Sequence, residues 1–184
     1  MKRFVRRRRP LPDEAAAALG LDGSDRVLAW SLLAGGGAAA ATVEGLRIAT
    51  PRGKLINREW LEVDHAAWDQ DSAMLAVWWV GSRTTTPLEI VDDEGRLPEV
   101  VRERVQASVV LSSDVPLPGG RSARVALRRA PDGSLVTQQL LPPGVRADAD
   151  GVAQRMERAA AELRSEAGPR GPGAPSREEP PSIR

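Results

Sequence analysis

Apolar and polar positions change period several times along this chain, and each change marks an element. Val27 to Val43 is an uncharged run interrupted by Gly35-Gly36-Gly37. A spanning helix needs about 20 strongly apolar residues, and Gly, Ala and Ser dilute this run. It predicts two short buried strands, 26–33 and 38–43, around a glycine turn. Leu46–Ala49 and a strand starting at Leu55-Ile56 follow, separated by the turn Pro51-Arg52-Gly53-Lys54. Trp60, Val63 and Trp68 lead through the polar quartet Asp69-Gln70-Asp71-Ser72 into Met74–Val80. That pattern is a hairpin. Gly81-Ser82-Arg83 turns the chain into a last strand over 84–91, closed by the acidic turn Asp92-Asp93-Glu94-Gly95.

The period then lengthens. Leu97, Val101, Val105, Ser108 and Val109 recur at helical spacing, with Pro98 and Glu99 suited to a first turn. We read 98–111 as a helix, although Val105–Leu111 is rich enough in Val to be a strand. Residues 121–130 and 134–140 flank the turn Pro131-Asp132-Gly133. Val152, Met156, Ala160 and Leu163 form one apolar stripe of a helix over 152–166, with Arg158 and Glu162 set for an i,i+4 pair. Near the start, Asp13 is placed to cap a short helix ending at Gly20. The division expected is a basic tail over 1–12, one globular α+β domain over 13–167, and a Pro/Gly-rich disordered tail over 168–184.

Charge changes this picture. The chain has 184 residues, with 26 Lys+Arg against 25 Asp+Glu. Lys2, Arg3, Arg6, Arg7, Arg8 and Arg9 lie within the first ten, so the rest carries 20 basic and 25 acidic residues, a balance of −5. The six are the candidate anion-binding residues, able to attract nucleic acid or an anionic membrane. Only Phe4 stands among them for base stacking. Phosphoinositide binding finds little support elsewhere, because Arg52 and Lys54 are the one close basic pair in the predicted turns.

Composition excludes more chemistry than it offers. There is no Cys and one His, which removes disulfides, thiol nucleophiles and His-rich metal sites within one chain. The absence of Cys fits a cytoplasmic protein. No phosphate-binding loop or nucleophile elbow is present, and Ser122 has only His65 as a conceivable base. Asp64 and His65, adjacent in a predicted strand, are expected on opposite faces and so unable to pair. Asp69/Asp71 and Asp92/Asp93/Glu94 read as turn residues. No catalytic residue, metal or cofactor is expected. Trp60, Trp68, Trp78 and Trp79 make the candidate interaction surface. Trp78 and Trp79 are neighbours in a strand and must face opposite ways; the exposed one is expected under the 98–111 or 152–166 helix, or under a partner.

The order of short strands followed by a helix over 26–112 resembles a pleckstrin-homology (PH)-like sandwich. Arg58-Glu59-Trp60-Leu61-Glu62-Val63, then Trp68 and a hairpin into Leu75-Ala76-Val77, is similar to the small bacterial PH-like domains. The whole chain also resembles a family of uncharacterised conserved proteins of high-GC actinobacteria, most visibly over Pro98–Val110. The resemblance implies an antiparallel β-sandwich or partly open barrel with a packing helix. Beyond it, over 113–167, a hairpin and a helix are an addition expected to extend one sheet and cover an open face. The resemblance implies no activity. The function expected is a non-enzymatic binding or scaffold protein with a protein partner. The alternatives are an accessory protein for nucleic acid or anionic membrane using the Arg cluster, and an enzyme built on carboxylates and Arg.

Overall fold

The computed structural model describes residues 10–82, 84–91 and 96–168. The fold is mixed α+β, with three antiparallel sheets and three α-helices among the described residues. The basic segment 2–9, the acidic turn 92–95 and residues 169–184 lie outside the described residues.

The first sheet runs β1 (Val27–Leu32), β2 (Ala38–Thr42), β3 (Gly45–Ala49), β4 (Leu55–Glu59), each strand beside the next. Its first hairpin is the glycine turn expected from the sequence. Gly35, Gly36 and Gly37 all have positive φ, and a Cβ on Gly37 would sit 2.2 Å from the Ala49 carbonyl oxygen. Strand β2 is four alanines and a threonine, all buried. Ala39 and Ala41 face one apolar cluster while Ala38 and Ala40 face another. A strand covered on both faces at close range has room for little more than a methyl group. The second cover is helix α1 (Asp13–Ala18), with Leu19 behind it, lying with Trp30 on the outer side of this sheet. Pro12, not Asp13, occupies the N-cap, and Asp13 is the first helical residue.

A single 3-10 turn, Trp60–Glu62, carries the chain into the second sheet, β5 (Val63–Asp69), β6 (Met74–Trp79), β7 (Thr85–Glu89). The turn is closed by a capping box between Glu59 and Glu62. An antiparallel bridge, Leu33 to Ile90, ties the ends of β1 and β7. Helix α2 (Leu97–Ser108) then brings Leu97, Val101 and Val105 into one core with Ala39, Leu46 and Ile48 of the first sheet and Val63, Leu75, Val77 and Leu88 of the second.

The expected helix over 98–111 is three residues too long. It stops at Ser108, and β8 (Val109–Leu117) starts at once. Successive Val residues are costly at χ1 in a helix and suited to a pleated strand. Strand β8 pairs with β9 (Arg121–Arg129), which pairs with β10 (Leu135–Leu140). These three strands form a sheet of their own and do not extend another. Helix α3 (Val152–Ala167) covers it, seating Val152, Met156, Ala160 and Leu163 against Val115, Leu117, Ala123 and Val125. On the polar side of α3, Glu157 bonds Gln139 and pairs with Arg164 at 3.6 Å, in place of the expected Arg158–Glu162 pair.

Candidate functional site

Strands β5 to β7 place alternate residues on opposite faces. Val63, Leu75, Val77 and Leu88 enter the core. The outer face reads as three cross-strand rows: His65, Trp78 and Thr85; Ala67, Ala76 and Pro87; Asp69, Met74 and Glu89. The rows are aromatic, small and acidic in turn. Helix α2 belongs to the opposite face, and α3 packs on β8 and β9.

The aromatic row depends on a local irregularity. The β5–β6 register slips between Val63 and His65, so Asp64 is the extra residue of a β-bulge. The bulge brings Asp64 and His65 together, against the expectation of opposite faces: His65 Nδ1 lies 2.9 Å from Asp64 Oδ2. The imidazole in turn stacks on Trp78, with ring centroids 4.3 Å apart and planes 13° from parallel. Asp64 thus holds His65, and His65 holds the indole flat on the sheet. Trp78 is half-buried by this stack and not by either helix.

The four candidate tryptophans do not form one surface. Trp60 is 4% exposed, with its indole N–H donating to the Thr42 carbonyl at 3.1 Å. Trp68 leans on the core from its own strand. Trp79 faces the core side and donates to Thr86 Oγ1 at 2.8 Å. Trp78 alone lies on the outer face. Trp79 also borders an open cleft of about 690 Å³, lined with Leu61, Val80, Val136 and Gln138 and rimmed by the Arg58–Glu62 ion pair.

Acidic side chains dominate the described residues from Glu59 to Val91, which include Glu59, Glu62, Asp64, Asp69, Asp71 and Glu89; Arg83, also in this stretch, lies outside the described residues. Asp69 also shapes the β5–β6 turn, accepting from the Ser72 hydroxyl at 2.7 Å and the Asp71 N–H at 3.0 Å. Those two bonds hold its carboxyl below the usual carboxylate range. No group of three or more His, Asp or Glu among the described residues is placed to hold a metal ion. Ser122 bonds the Val115 and Ala123 carbonyls.

One residue that sequence reasoning passed over is Arg128 on β9. It is 2% exposed, and no carboxylate among the described residues is bonded to it. Its N–H groups donate to the carbonyls of Trp60 at 2.8 Å, Leu61 at 3.3 Å and Val63 at 2.7 Å, to Ser108 Oγ at 3.0 Å, and to Gln138 Oε1 at 3.3 Å. Gln138 donates to the Leu61 carbonyl as well. Burial lowers the guanidinium's pKa from its ordinary value, partly opposed by Asp64. Within the 3-10 turn the Trp60 carbonyl also accepts from the Val63 N–H and the Glu62 carbonyl from the Val80 N–H at 2.8 Å, and Arg128 adds donors to the Trp60 and Leu61 carbonyls from the third sheet. It locks β9 and β10 to the start of β5, just before the bulge that orients His65.

No protein-family model, curated protein or solved structure matches the chain. Among the described residues, no helix is long and apolar enough to cross a membrane.

Proposed function

We propose that this protein is a non-enzymatic binding or scaffold module with a PH-like core, acting on a protein partner through the outer face of β5–β7. Four antiparallel strands, then three, then a helix closing their shared core agree with the PH-like order. The observation that carries the reading is Trp78, held flat against His65 on a sheet face that neither α2 nor α3 covers. A large aromatic fixed in one orientation offers contact area at little entropic cost, as anchor residues of interfaces do. The small row Ala67, Ala76 and Pro87 beside it leaves room for a partner's side chains.

The test is a photo-crosslinking residue at Thr85, beside Trp78 in the same row, in the full chain expressed in its native cell. The expected result is a discrete protein adduct whose yield drops with Trp78→Ala while the far-ultraviolet circular dichroism stays unchanged. A ladder of unrelated adducts, or an adduct indifferent to Trp78, counts against the reading. Crosslinking to nucleic acid or lipid instead replaces the protein partner with the anionic one.

A further inference from the structure

The two outer faces of the central sandwich differ. That of β1–β4 is covered by α1 and Leu19. That of β5–β7 carries the aromatic, small and acidic rows and no element of the described structure. We propose that the chain's own arginine-rich segment, residues 2–9, is the occupant of this face. The inference rests on the reading of the face as a binding surface and names what binds there.

Charge complementarity is the first argument. The segment holds six basic residues and no acid, and the face sets Asp69 and Glu89 on either side of Met74, with Asp64 beside His65 at its other end. The second argument is spacing. Along β6 the rows are marked by Trp78, Ala76 and Met74, two residues and therefore about 7 Å apart. In an extended peptide, Arg3, Val5 and Arg7 fall on one side at the same interval. One guanidinium then stacks on the indole of Trp78. Val5 meets Ala67, Ala76 and Pro87. The other guanidinium reaches Asp69 and Glu89 across Met74. Either strand direction gives this match, because the cation–aliphatic–cation order is symmetric. A lysine-rich segment would serve less well, since the planar guanidinium both stacks and forks onto carboxylates. The tail thereby acts as a resident occupant that a partner must displace.

The experiment uses purified full-length protein with the photo-crosslinking residue at Thr85, digested with a glutamate-specific protease that spares the arginines. The adduct is expected to map to residues 2–9. Its yield is expected to drop at least about fivefold between about 0.1 M and about 1 M salt, as the screening length shortens from about 10 Å to about 3 Å. Arg3→Ser with Arg7→Ser is expected to cut the yield about tenfold, and Arg6→Ser with Arg8→Ser less than about twofold. Glu89→Gln is expected to lower the yield from the other side of the contact. Absence of an adduct to residues 2–9, or equal losses from the two arginine pairs, overturns the inference. If that happens while Thr85 still captures a Trp78-dependent protein in cells, the binding reading stands and only its resident occupant is wrong.

Discussion

Arg128 gives the sharpest test of how the three sheets are held together. Arg128→Ala deletes every donor that the guanidinium presents to Trp60, Val63 and Ser108, leaving the Trp60 carbonyl with the Val63 N–H and the Leu61 carbonyl with Gln138. Hydrogen bonds from a charged group are worth about 1.5–3 kcal/mol each, and a buried acceptor stripped of its donor costs about 1–3 kcal/mol. Against this stands the cost of keeping a cation 2% exposed with no carboxylate bonded to it among the described residues, several kcal/mol in itself. The bonds are numerous and short enough that the balance favours them. The expected destabilisation is about 3–5 kcal/mol. In urea, with a slope of about 2 kcal/mol/M, the midpoint moves down by about 2 M. Arg128→Met separates the two effects, because it fills similar space without a charge. If the carbonyls dominate, Met costs nearly as much as Ala. A Met variant as stable as the wild type, or more so, would falsify the assignment of Arg128 as a net stabilising lock. Arg128→Lys is expected to fall between, since an ammonium on a shorter reach cannot serve three carbonyls and Ser108 together.

Three further outcomes follow from the same geometry. Trp60→Ala, which empties a core position and frees the Thr42 carbonyl, is expected to cost about 3–5 kcal/mol by urea unfolding, whereas Trp78→Ala on the outer face is expected to cost less than about 1.5 kcal/mol; comparable losses contradict the placement of the two rings. Gly45→Ala is expected to destabilise by about 1–3 kcal/mol in the same assay, because its Cβ would lie 2.0 Å from the Arg58 carbonyl oxygen and backbone must move. Asp22, Asp69, Asp132 and Asp148 all have carboxyls held below the ordinary 3.8, chiefly by side-chain hydrogen bonds to Ser24, Ser72, Ser134 and Arg146 respectively. Their contribution to stability is therefore complete above that value and is lost as pH falls through the lowered values, where the unfolded chain binds more protons. Urea midpoints measured down through this range should decline, and Asp69→Asn should make the decline shallower.

Much of the fold was legible where local chemistry and tertiary demand agree. Gly35–Gly37, Asp69–Ser72 and Pro131–Gly133 turn the chain because of what their own residues prefer. The stripe Val152, Met156, Ala160 and Leu163 is buried as its spacing requires. Errors arose where one pattern serves two periods. Leu97, Val101 and Val105 announce a helix, and the Val pair at 109–110 continues the apolar signal after the backbone has changed to strand. The bulge at Asp64 leaves no mark in the alternation, so the Asp64–His65 pair was invisible and with it the stack that orients Trp78. Arg128 was illegible for another reason. The carbonyls it serves are 65 to 68 residues away, and a carbonyl belongs to every residue alike. Trp60 entered the candidate surface because tryptophan suits both cores and interfaces. Only the fold decides between them, and it places this ring inside.

Strand β2 has a dynamic consequence. It lies between β1 and β3 in the ladder and between two apolar clusters across its faces, with every residue buried. Opening its amides to water requires separating a neighbouring strand, and separating either strand disturbs both clusters at once. Local fraying at α1 or at the β10 edge does not reach it. The amides of Ala39 to Ala41 therefore exchange hydrogen only when the first two sheets and their shared core open as a whole. Their exchange rate reports the free energy of that opening, and a loosening of Arg128 that reached β2 would be read there.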